Sequence, residues 1–229
     1  NNTAVGRSAL VENTTGSSNV AIGANALDAN TTASNNTAVG LGSIGTNTTG
    51  TSNSALGFGS LGGNTTANNN TAVGYLSLNA NTTGTQCVAV GSLALDANTT
   101  ANNNVAVGHN SLSANTTGNS NIAMGSGALM VSTTASNNTG LGHEALTANT
   151  TGAQCTAVGR KALAANTTGI NNTAIGESAM LTATTAQDCV AIGREALKRL
   201  TTGDDNTAIG TEAGKEITTG ARNTAVGYL

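Results

Sequence analysis

An alanine, an aliphatic residue and a glycine return together at one fixed interval along the whole chain. The glycine stands at Gly6, Gly23, Gly40, Gly57, Gly74, Gly91, Gly108, Gly125, Gly142, Gly159, Gly176, Gly193, Gly210 and Gly227, a step of seventeen with no insertion or deletion. A period this strict is the mark of a repeat architecture and overrides the domain count that length alone would suggest. Residues 1–229 therefore read as a single array: 13 full repeats, then a partial fourteenth at 222–229. Solenoids normally carry distinct terminal caps, and a chain that starts mid-array and stops inside a repeat is expected to be a fragment of a longer one.

Counting Asn1 as position 1, each repeat divides into three parts. Positions 3 to 5 hold Thr, Val, Ser or Ile, then Ala (Gly140 in one copy), then Val, Ile, Leu or Met, and the glycine follows at position 6. That is a short alternating strand, ended by a corner that only glycine turns easily. A second short segment has Ala or Ser at position 9 and, in twelve of thirteen repeats, Leu, Ile or Met at position 10; a polar turn, mostly Asn-Thr-Thr, occupies positions 13 to 15. Helices are excluded, because Gly, Asn and Thr are weak helix formers and recur in every repeat.

The solution is an all-β fold, a parallel β-solenoid in which one repeat is one coil and each coil hydrogen-bonds to the next. Thirteen coils at about 4.8 Å give roughly 62 Å of stacking. Position 5 is expected to face inward with position 10, leaving position 4 as an outer strip of small residues against which identical chains pack. Asn at position 2 is expected to form an amide ladder, each side chain bonding its neighbour one coil away.

Composition narrows the function classes. Aromatics are 1% of the chain and proline is absent, so any core is narrow. A net charge of −3 speaks against nucleic-acid binding, which needs clustered cations. No apolar run approaches the roughly 20 residues of a membrane span, so membrane insertion is not expected. Cys87, Cys155 and Cys189 all sit at position 2, separated by about 19 Å and 9.6 Å at the coil spacing, too far for an intrachain disulfide.

The stretches SNVAIG (Ser18 to Gly23), NIAMG (Asn121 to Gly125) and CVAIG (Cys189 to Gly193) resemble the head repeats of YadA-type trimeric autotransporter adhesins. The wider pattern, with A-L and N-T-T following, is similar to phage tail-fibre shaft repeats. The resemblance implies a left-handed β-roll and a homotrimer. It also implies a structural fibre shaft of a phage tail fibre or surface adhesin, extracellular on a virion or cell surface, which positions a tip for host attachment. A host receptor or glycan would then be contacted through regions outside these residues. The alternative is a self-assembling, glycosylated extracellular filament.

Several motifs have plainer readings. GLGSIG (Gly40 to Gly45) and GFGSLG (Gly57 to Gly62) match a dinucleotide fingerprint, but no helix follows to receive a pyrophosphate. His109 and His143 both fall at position 7, about 9.6 Å apart along the stack, too far to ligate one metal at about 2.1 Å. Sequons recur in the turns at Asn13, Asn30, Asn47, Asn64, Asn81, Asn98, Asn115, Asn149 and Asn166. Asn and Thr are equally explained there as turn formers, the favoured reading. The repeated Thr14-Thr15 pair suggests an ice-binding face, set against the expectation that adjacent strand residues point to opposite sides. No catalytic constellation recurs, and neither enzyme activity nor a cofactor or metal is expected. Charge gathers after residue 140, where Arg160, Glu177 and Arg194 at position 7 are expected to form a surface ladder.

Overall fold

The computed structural model describes residues 1–228; Leu229, the last residue of the partial repeat, lies outside the described residues. These fall into two compact units, divided between Thr117 and Gly118. Each is a parallel β-solenoid in which one repeat makes one turn, and no helix occurs among the described residues. The first unit holds β1 (Thr3–Val5), β2 (Val20–Ile22), β3 (Thr37–Val39), β4 (Ser54–Leu56), β5 (Thr71–Val73), β6 (Val88–Val90) and β7 (Val105–Val107). The second holds β8 (Ile122–Met124), β9 (Thr139–Leu141), β10 (Thr156–Val158), β11 (Thr173–Ile175), β12 (Val190–Ile192), β13 (Thr207–Ile209) and β14 (Thr224–Val226). Within a unit each strand pairs in parallel with the next, one repeat apart, as in Thr3 opposite Val20 and Ile122 opposite Thr139.

The strands face the other way from the expectation. Position 4 is inside: Ala21, Ala38, Ala72 and Ala89 have no exposed surface. Position 5 is outside, with Ile22 and Leu56 among the exposed residues. Period-2 alternation assigns two faces but does not say which is buried. The width of the coil decides it. The opposite wall already supplies a large side chain at position 10, so the strand can offer only a methyl group. At Gly140, where that methyl is missing, a Cβ would stand 3.4 Å from Leu129 Cγ.

Positions 7 to 12 form turns, not a second strand. The backbone at positions 8 and 10 takes left-handed conformations, for example at Asn25 and Leu27 with φ of 56° and 51°, and at Leu76 and Leu78 with 51° each. Such a conformation costs roughly 1–2 kcal/mol for an L-residue, and Ile44, β-branched, adopts it too at φ 50°. Two gains offset the cost. The position 10 side chain is turned fully inside, as at Leu27, Ile44 and Leu61, and the twisted backbone still bonds across coils. Asn25 N–H donates to Arg7 O at 2.9 Å on one side, and Leu27 N–H to Ser43 O at 3.1 Å on the other. Positions 13 and 16 then point inward and 14 and 15 outward, closing the lap.

Candidate functional site

The corner glycines sit where glycine is required. Their φ values lie between 125° and 138° from Gly6 to Gly227. A Cβ on Gly91 would lie 2.5 Å from Gly108 O in the next coil, so the corner needs both the conformation and the close approach.

Inside the coil the expected position 2 ladder is present only in part. At position 2 the Asn side chain braces backbone: Asn19 Oδ1 accepts Asn36 N–H at 3.0 Å, and Asn36 Nδ2 donates to Gly50 O at 2.8 Å. Direct amide-to-amide bonds occur there from Asn53 Nδ2 to Asn36 Oδ1 at 3.2 Å and from Asn223 Nδ2 to Asn206 Oδ1 at 2.9 Å, and they run coil after coil at position 13. Asn30 Nδ2 donates to Asn13 Oδ1 at 2.9 Å and to Ala33 O at 3.0 Å; Asn47, Asn64, Asn81 and Asn98 continue the chain. Position 2 lies beside the strand, where its amide meets backbone donors from the next coil, whereas position 13 lies in a bend that leaves the amides facing each other. The sequon asparagines from Asn30 to Asn166 are fully buried. Where both Nδ2 hydrogens are donated, as at Asn30, Asn47, Asn64, Asn81, Asn98 and Asn166, attaching a sugar would replace one donated hydrogen and force the buried amide to open the coil.

The three cysteines are free and buried. Each thiol stands in for the missing amide: Cys87 Sγ donates to Ala101 O at 3.4 Å, and Cys189 Sγ also accepts Asn206 N–H at 3.4 Å. Burial pushes all three thiols above their ordinary pKa, away from the reactive thiolate. His109 and His143 are exposed, and His143 Nε2 lies 3.9 Å from Glu144 Oε1. The two threonines of the turn do not point apart. Both lie in a bend rather than a strand and reach the surface, Thr15 fully and Thr14 with its hydroxyl donated to Thr31 O at 3.0 Å.

The charged surface of the second unit is organised differently from the expected position 7 ladder. Arg160 does pair with Glu177, but Arg194 turns to Glu212 at 2.6 Å and to Glu195 at 3.3 Å. Glu195 also holds Lys215 at 2.7 Å and Lys198 at 3.0 Å, and Lys215 reaches Glu212 at 3.0 Å. Hydrogen bonds from Lys215 and Lys198 hold the Glu195 carboxyl down at about 2. Lys215 and Arg194 lower Glu212, and Glu195 and Glu212 raise Lys215. The cluster was readable in part: Glu195 and Glu212 share position 8, and Lys198 and Lys215 share position 11.

A column of aliphatic residues and Met runs along the outer face of each unit at position 5, beside a position 3 that is Thr or Ser in nine of fourteen copies. The outward side chains of positions 3 and 5 repeat in register within each unit. Ile122, Met124, Ile175, Ile192 and Ile209 are 37–43% exposed in the second unit, and Ile22 and Leu56 are 40% and 52% exposed in the first. Contiguous apolar surface of this kind marks a contact face on a protein in water. No family model, curated protein or solved structure matches the chain.

Proposed function

We propose that the chain is a structural shaft of an extracellular fibre, a phage tail fibre or surface adhesin, that works as a homotrimer and holds a host-binding tip away from the particle or cell. The observation that carries this reading is the outward column of aliphatic residues and Met at position 5, flanked at position 3 by Thr, Ser, Val or Ile. A second copy of the same chain presents the same column at the same rise, so every coil of one can meet its counterpart in the other. The number three comes from the resemblance of the repeat to trimeric adhesin heads and fibre shafts. The contact face is the branched side of the strand, not the alanine side, which is filled by the coil's own core. The role is mechanical: each added repeat is an added coil, bonded to its neighbours through backbone groups around the lap.

Sedimentation equilibrium tests this reading on the native chain and on a Val73→Lys/Val90→Lys variant, which places ammonium groups on the face at two adjacent coils. Three chain masses for the native protein and one for the variant are expected. A native protein of one chain mass would overturn the trimer. An open-ended series of masses would favour a self-assembling filament instead.

A further inference from the structure

The segments Gly40 to Gly45 and Gly57 to Gly62 leave two coils of the first unit without side chains at positions 8 and 11. A Cβ on Gly42 would meet nothing within 4 Å, so the backbone there lies open. Beside it, at position 7 of three successive coils, stand Leu41, Phe58 and Tyr75, 52%, 48% and 52% exposed. The Phe58 and Tyr75 rings are stacked, with centroids 5.5 Å apart and planes 16° from parallel. Side chains of neighbouring coils reach over the other three glycines: Leu76 Cδ2 comes 2.7 Å from where a Cβ of Gly59 would lie. Asp28 Oδ1 comes 3.3 Å from where a Cβ of Gly45 would lie. Asn79 Nδ2 comes 2.8 Å from that of Gly62 and donates to Gly59 O at 2.7 Å. No residue from 29 to 95 carries a charged side chain.

We propose that this strip is a binding subsite for neutral carbohydrate. A pyranose ring has an apolar C–H face and a rim of hydroxyls, and the surface offers the matching pair: exposed ring and aliphatic surface, with an amide and a carboxylate at its borders. Aromatic side chains left half in water are the usual seat of such contacts, since they bring much apolar area at little entropic cost. The neutrality of the stretch decides against a nucleotide or another phosphate, which would find no cation there. A protein partner would find a longer apolar face on the position 5 column of the strands. The subsite uses different residues from that column, so its failure and the failure of the shaft reading are separable.

Saturation-transfer NMR and calorimetry on the full chain test the subsite, with maltohexaose, cellohexaose, mannohexaose and N-acetylchitohexaose as neutral probes and ADP as the anionic one. The comparison is a Phe58→Ser/Tyr75→Ser variant. Serine already occupies position 7 at Ser92 and Ser126, so the coils should survive, which the circular dichroism melt verifies. Saturable binding of at least one neutral oligosaccharide, weakened about tenfold or more in the variant, is expected. The proposal is overturned if no neutral probe saturates by about 10 mM, if the serine variant binds as well as the native chain, or if ADP displaces the sugar.

Discussion

An asparagine at position 13 links two coils and closes its own turn, so its worth depends on where its ladder stops. Asn81 donates to Asn64 Oδ1 and Gly84 O, and accepts from Asn98. Asn166 makes the same two donations, to Asn149 Oδ1 and Gly169 O. The next coil carries Ala183, and Asn166 Oδ1 is left buried without a partner. An unpaired buried acceptor costs about 1–3 kcal/mol. Asn166→Ala is therefore expected to destabilise less than Asn81→Ala by about that amount in thermal or urea unfolding, because it also removes the orphaned oxygen. The glycines divide in the same way. Gly91→Ala should be strongly destabilising, with its Cβ against the next coil's carbonyl at a φ of 137°. Gly140→Ala should be neutral to stabilising by up to about 1 kcal/mol, since all other copies of position 4 are alanine and the nearest atom to the new Cβ would be 3.3 Å away. The corner glycines were legible in the sequence because invariance within one chain at a fixed interval points to a backbone demand. The inward alanine was not, because ranking residues by size favours Val or Ile for a core until the width of the lap is known. Nor was the outward direction of both Thr14 and Thr15, which depends on a bend that composition does not distinguish from a strand end.

Among the elements, the coils around β12 and β13 hold together differently from those before them. At position 13 they carry Leu200 and Ile217, which replace the amide ladder with apolar contact, and Ile217 leans toward the space left by Gly214 at position 10. On their outer side is the cluster of Arg194, Glu195, Lys198, Glu212 and Lys215. Its pH dependence follows from the shifts. Glu195 falls from 4.5 to about 2 on folding and Glu212 moves the same way. Their contribution is complete above pH 4.5 and is lost as pH falls toward 2. Lys215 is raised above 10.5, so its contribution is present below that value and is lost above it. Amide-exchange protection of residues 194–216 is expected to drop between pH 5 and pH 2 relative to residues 60–100, which have a single acidic side chain, Asp96. Glu195→Gln should flatten much of that difference; an unchanged profile would show that the cluster does not hold these coils. The sequence showed like charges in register at positions 8 and 11. It could not show that the left-handed turns bring those two columns within ion-pair reach and draw Arg194 away from the position 7 column.

For the whole molecule, the repeat is the unit in which the chain can be lengthened or shortened. Deleting residues 52–68 joins position 17 to position 1 and removes one complete coil. Such a chain is expected to fold and melt cooperatively. Deleting residues 52–60 alone would put the glycines of one lap beneath the strand of the next and should abolish folding of the first unit, as read by circular dichroism. The association proposed for the outer strand face is modular in the same sense, since each coil brings its own position 5 side chain to the apolar column. All of this rests on equating one repeat with one lap of backbone. Thr15, Thr66 and Thr100 are exposed residues at the same position of coils within the first unit, and nitroxide labels on cysteines placed there report the rise directly. Pulsed EPR on labelled chains diluted with unlabelled protein should give a Thr15–Thr66 separation of about 14 Å and a Thr15–Thr100 separation of about 24 Å, a rise of about 4.8 Å per repeat. Separations that fail to grow in proportion to the number of repeats between the labels would contradict the account.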